Sequence, residues 1–133
     1  MLDLGYNYRL SDINCALGNS QLSKLDIFIK KRRSIANMYN EKFKNEKYIS
    51  IPKCKKNIKH AYHIYPLRID FKKFKIRKID FLKKMKRKKI SLQVHYIPIF
   101  KQPYYKKNYK IKEKEFKNSI DFYNEEVSLP LHV

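Results

Sequence analysis

The sequence predicts an α/β protein in which a small layer of strands and helices packs on one long helix. Three observations predict it. A proline-free apolar stripe at helical spacings runs across residues 11–45. Two β-branched and aromatic segments, 60–70 and 91–99, flank an amphipathic lysine-rich stretch at 76–89. A third apolar run at 127–131 follows another helical pattern at 113–126. Alternating strands and helices of this kind make a layered α/β unit. The chain has 133 residues, enough for one domain. It is 43% hydrophobic and 14% aromatic, too apolar for a disordered tail.

Each element has a local cause. Residues 2–10 hold Gly5 and the string Tyr6-Asn7-Tyr8-Arg9, an extended loop rich in groups that can reach a ligand. Ser11 sits where a helix N-cap belongs, and Asp12 faces the positive end of the helix dipole. Ile13 and Leu17 open the apolar side, and Leu22, Leu25, Phe28, Ile29, Ala36, Tyr39 and Phe43 continue it. The step from Leu17 to Leu22 is one residue too long and contains Gly18, which predicts a bend or a close backbone approach there. A few strands cannot cover a stripe this long, so part of it is expected to meet another domain or subunit.

Residues 48–52 read as a short strand and 53–59 as a basic loop. Residues 60–70 are the best strand candidate, with Pro66 arguing for an edge position or a bulge. In the helix at 76–89, Ile76, Ile79, Leu82 and Met85 recur in steps of three with lysines outward. Residues 91–99 alternate, placing Leu92, Val94 and Tyr96 on one face and Gln93 and His95 on the other. Residues 102–105 are an aromatic loop. The helix at 113–126 carries Phe116, Ile120 and Tyr123 on one side.

Charge and composition exclude several classes. Lys+Arg number 32 against 12 Asp+Glu, a net +20. The excess is almost all lysine, spread from Lys24 to Lys117 and accompanied by Ile, Asn, Tyr and Phe, the residues of AT-rich codons. That distribution argues against a dedicated nucleic-acid patch. Cys15 and Cys54 make neither a disulfide framework nor a zinc set, which fits a reducing compartment; Cys15, inside a helix, is expected to be a buried inert thiol. His60, His63, His95 and Cys54 match no familiar metal-ligand spacing. Two glycines cannot build a phosphate-binding loop, and no Cys-His or Ser-His-Asp arrangement has local support. The chain has no apolar run of about 18 residues and no basic start before an apolar stretch, so neither a membrane span nor a secretory signal is expected.

Several specific runs go further than composition. Leu4-Gly5-Tyr6-Asn7-Tyr8-Arg9-Leu10-Ser11-Asp12, then Ala16-Leu17-Gly18 and Ser20-Gln21-Leu22, resemble the DegT/DnrJ/StrS family of sugar aminotransferases. The later blocks agree in order: Ala61-Tyr62-His63-Ile64-Tyr65-Pro66, His95-Tyr96-Ile97-Pro98, Gln102-Pro103-Tyr104-Tyr105, and Glu126-Val127-Ser128-Leu129-Pro130-Leu131. Within the family, residues 94–98 most resemble the enzymes that aminate UDP-4-keto-6-deoxy-N-acetylhexosamines on the pseudaminic acid route.

The resemblance implies a pyridoxal 5′-phosphate (PLP) enzyme of the aspartate aminotransferase architecture, PLP fold type I. It implies a cytoplasmic homodimer with active sites at the subunit interface, a UDP-sugar substrate and an amino-acid donor, with glutamate the family expectation. Such chemistry needs a Schiff-base lysine, an acidic partner for the pyridine nitrogen and a stacked ring, which the family carries in its large domain. On that reading the chain corresponds to the C-terminal third, stopping before the family's final helix, with no lysine in the Schiff-base motif. It is not expected to transaminate alone. Residues 1–45 would be interface loop and interdomain helix, and 46–133 a small domain truncated at its C-terminus. By resemblance Asn7 hydrogen-bonds the cofactor phosphate of the neighbouring subunit, Arg9 reaches the substrate diphosphate, and His95 and Tyr96 contact the nucleotide sugar. Phe100 stands where many relatives have histidine. Two other readings stay open: a non-catalytic basic binding module, with nucleic acid as its ligand, and a decayed reading frame.

Overall fold

The computed structural model describes residues 3–132, so Leu2, where the expected loop begins, lies outside the described residues. Eight elements follow in order: α1 (Asp12–Leu22), α2 (Leu25–Phe43), β1 (Ile49–Ser50), β2 (Tyr65–Ile69), α3 (Lys78–Arg87), α4 (Pro103–Asn108), α5 (Lys117–Glu125) and β3 (Glu126–Leu129). Single 3-10 turns stand at Ile99–Lys101 and Glu113–Phe116.

Ser11 caps α1 as its chemistry predicts, its Oγ accepting the Asn14 N–H at 3.4 Å. The single long helix expected over residues 11–45 is instead two. The break falls at Ser23 and Lys24, not at Gly18, where an added Cβ would meet open space. Ser23 Oγ donates to the Ser20 carbonyl at 2.8 Å, and the Lys24 N–H turns back to Gln21 O at 3.1 Å. A serine hydroxyl bonded back into its own turn competes with the helical ladder.

The sheet is antiparallel in the order β1-β2-β3, with Ile49 opposite Ile69 and Leu67 opposite Val127. Alternation along β2 buries Tyr65, Leu67 and Ile69 and turns Arg68 to solvent. These three join Ala36, Phe71 and Val127 in the core, with Tyr39, Phe43, Ile49, Phe81 and Leu82 around them. Tyr65 Oη donates to Asn40 Oδ1 at 2.7 Å, and Tyr39 Oη donates to the Pro130 carbonyl at 2.9 Å. Both bonds fasten α2 to the sheet region.

Several expectations need correction. Pro66 lies in the central strand, not at an edge; β1 pairs only with Arg68 and Ile69, so no β1 residue faces Pro66. The strand expected from residue 60 begins at Tyr65, because Tyr62 adopts a left-handed φ of 49° and its N–H is taken by His60 Nδ1 at 2.9 Å. Residues 91–99 form no strand. One bridge joins Gln93 to Ser128, and the His95 N–H that a ladder would use goes to the Glu126 side chain instead. The segment expected to be an aromatic loop at 102–105 starts α4, with Pro103 in its first turn. In α3 the inward stripe is Lys78, Phe81, Leu82 and Met85, whereas Ile79 is exposed. Each step of three falls about 60° short of a full turn, so the expected run drifts around the helix.

Candidate functional site

The loop at residues 3–10 is exposed throughout. Asn7 Oδ1 accepts the Arg9 N–H at 3.0 Å, an Asx turn that leaves the Nδ2 donors for an outside partner. Arg9 is exposed beside it. Tyr6 and Tyr8 are both exposed, their ring centres 5.8 Å apart. Cys15 is exposed on α1, correcting the buried thiol expected there. The cause is shared: α1 has no buried residue, and among the described residues nothing packs against this region.

His95 lies against β3, with Tyr96 next to it in the chain. The His95 N–H donates to Glu126 Oε2 at 3.0 Å, and His95 Nδ1 meets Ser128 Oγ at 2.8 Å. Ser128 Oγ in turn donates to Glu126 Oε1. Glu126 is wholly buried, and Ser128 nearly so. Tyr96 is exposed, its ring standing edge-on to His95 at 4.7 Å. The two neighbours open onto different cavities. His95 lines one of about 280 Å³ with Arg32, His63, Gln93 and His132. Tyr96 lines an apolar one of about 550 Å³ with Phe100, Phe116 and Phe122. Phe100 is buried and stacked on Phe116 at 5.1 Å, so it serves packing.

The structure therefore brings His95 together with Tyr96, and Asn7 with Arg9. Among the described residues no hydrogen bond or ion pair joins the two pairs. Sequence reasoning missed Glu126 and Ser128 as site residues, although a signal was there. A carboxylate and a hydroxyl two apart in a strand share one face, and they interrupt an apolar run. Lys78 was missed as well. Its Nζ donates to the Tyr123 carbonyl and lies over the Tyr123 ring at 5.0 Å. Burial lowers its pKa, and the Glu126 carboxylate opposes that shift.

The loop chemistry fits a phosphate. An exposed neutral amide donor orients an anion that other groups already neutralise, and the Arg9 guanidinium can add a fork of donors. Among the described residues, no three His, Cys, Asp or Glu side chains converge on a metal position. Among the described residues, no helix is long and apolar enough to cross a membrane.

The chain is similar to known proteins over almost its whole length. The family model described as DegT/DnrJ/EryC1/StrS aminotransferase matches residues 1–133. A UDP-4-amino-4,6-dideoxy-N-acetyl-beta-L-altrosamine transaminase of Campylobacter jejuni is 41% identical over 132 residues, covering 99% of this chain and 34% of its own length. The structure of Helicobacter pylori PseC, an aminotransferase involved in the biosynthesis of pseudoaminic acid, is 34% identical with a TM-score of 0.85, over 98% of this chain and 34% of that one. Spr1654 of Streptococcus pneumoniae in its PLP form, at 21% identity and a TM-score of 0.86 over 99% of this chain and 33% of its own, shares the fold. The chain thus spans about a third of the length of the curated relatives it matches. Its helices and small sheet are part of the PLP fold type I architecture.

Proposed function

The chain belongs to the DegT/DnrJ/EryC1/StrS aminotransferase family, and we propose that it forms the C-terminal part of a PLP-dependent nucleotide-sugar aminotransferase acting on a UDP-4-keto-6-deoxy-N-acetylhexosamine. The observation that carries this reading is the 41% identity, across 99% of the chain, to the Campylobacter jejuni transaminase. Residues 1–45 serve as interface loop and interdomain helix, and 46–133 as the small domain. The exposed apolar side chains of Leu4, Leu10, Ile13 and Leu17 support a homodimer in which this region is covered.

PLP supplies the electron sink for amino transfer. The residues of this chain bind and orient. Asn7 donates its Nδ2 hydrogen to a phosphate oxygen of the cofactor held by the neighbouring subunit. Arg9 forks onto the substrate diphosphate, and His95 and Tyr96 contact the nucleotide sugar. Glutamate is the amino donor, and the cytoplasm is the site of action. By itself the 133-residue chain should show no PLP absorbance and no amino transfer.

The test is a chimera in which residues 1–133 replace the matching third of the Campylobacter jejuni transaminase. It should form a dimer, load PLP and aminate the UDP-4-keto sugar. Asn7→Ala in that chimera should weaken PLP affinity by roughly tenfold, the worth of one charge-assisted hydrogen bond, with dimer and fold retained. A folded, PLP-loaded dimer without transfer would sink the substrate reading, and unchanged PLP affinity would remove Asn7 from the phosphate site.

A further inference from the structure

Glu126, Ser128 and His95 form a chain of hydrogen bonds whose direction can be worked out atom by atom. Glu126 is wholly buried at the start of β3, with Lys78 of α3 the positive group that faces it. Its Oε2 accepts the backbone N–H of His95, which can only donate. Its Oε1 accepts from Ser128 Oγ. A serine hydroxyl has one proton, and here it points at the carboxylate. Toward His95, at 2.8 Å, Ser128 Oγ can therefore only accept.

From this we infer that Glu126 and Ser128 are positioning residues that hold neutral His95 in its Nδ1–H tautomer, so that Nε2 carries the lone pair. His95 lines the cavity it shares with Arg32, His63, Gln93 and His132. With Nδ1 taken by Ser128, Nε2 is the ring's remaining polar atom. It accepts hydrogen bonds and does not donate them. The ligand group that suits it is a hydroxyl or an amide N–H, as on an N-acetylated sugar ring, and not an oxygen of the diphosphate. This rests on the proposed reading of His95 as a nucleotide-sugar contact and specifies which part of that ligand the residue recognises. The tautomer itself rests only on the hydrogen-bond geometry.

Nitrogen-15 NMR of the histidine-labelled full chain tests the tautomer without any ligand, above the imidazole titration range. His95→Gln assigns the signals by their loss. The expected spectrum has a pyrrole-type shift at Nδ1 and a pyridine-type shift at Nε2. Glu126→Gln keeps the shape but should reverse the relay. The glutamine oxygen must stay on the His95 N–H, so its amide faces Ser128, and the serine hydroxyl then donates its hydrogen bond to an unprotonated Nδ1, which leaves the ring proton on Nε2. The two nitrogen shifts should exchange. Ser128→Ala should lose the Nδ1–H preference, and Ser128→Thr, which keeps the hydroxyl, should restore it. Circular dichroism identifies a variant that fails to fold, and the unsubstituted chain still decides. An Nε2–H form there, or the same tautomer in folded Glu126→Gln, overturns the inference. A failed transfer assay with the tautomer as expected would instead count against the substrate reading alone.

Discussion

Residues 3–22 and the sheet region are both rich in apolar side chains, yet among the described residues only the sheet region buries them. Leu17 is 59% exposed and Leu67 is 2% exposed. Around Leu67, strand alternation, α2 and α3 close on a common core. Around Leu17, a capped helix presents Ile13, Leu17 and Leu22 to no partner among the described residues. The comparison separates two properties that are easily confused. A helix can be specified by its cap and spacing while its burial depends on a surface that lies elsewhere.

The sharpest way to break this contrast is a pair of truncations. Leu67→Ala should cost about 2–5 kcal/mol in denaturant unfolding, because the core around it can collapse only partly. Leu17→Ala should cost less than about 0.5 kcal/mol in the same chain. Equal losses would mean that α1 packs after all.

A smaller effect is expected at Tyr65. Tyr65→Phe removes the hydrogen bond to Asn40 and should lose about 1 kcal/mol. Burial, then the neighbouring Tyr62 and Tyr39, pushes the Tyr65 hydroxyl up to about 12 from an ordinary 10.0. The folded state thus holds this proton more tightly than the unfolded one. Its contribution is complete below pH 10 and is lost as pH rises toward about 12. Denaturation followed across that window should show a decline that Tyr65→Phe flattens, and an unchanged slope would place the titration elsewhere.

The smallest global effect belongs to Ser11→Ala. Loss of the cap should raise amide exchange in α1 by an amount equivalent to about 1 kcal/mol of local helix stability. The global unfolding midpoint should stay in place, since α1 contributes no buried residue. A shifted midpoint would join α1 to the cooperative unit of the sheet.

Much of the fold was legible because it depends on short-range pattern. The cap at Ser11, a strand within residues 60–70 and a helix within residues 76–89 follow from spacing and side-chain chemistry alone. Asn7, Arg9, His95 and Tyr96 were identifiable from a run of residues, although their proposed roles depend on atoms outside this chain. What the tertiary structure decided are competitions between partners far apart in sequence. The backbone of residues 91–99 had the alternation of a strand, but a buried carboxylate 31 positions on took the His95 amide and left one bridge. Pro66 could occupy the central strand because its neighbour on one side is only two residues long. The tautomer inferred for His95 belongs to the same class, since spacing identifies a histidine whereas only the atoms packed against it determine which nitrogen keeps the proton.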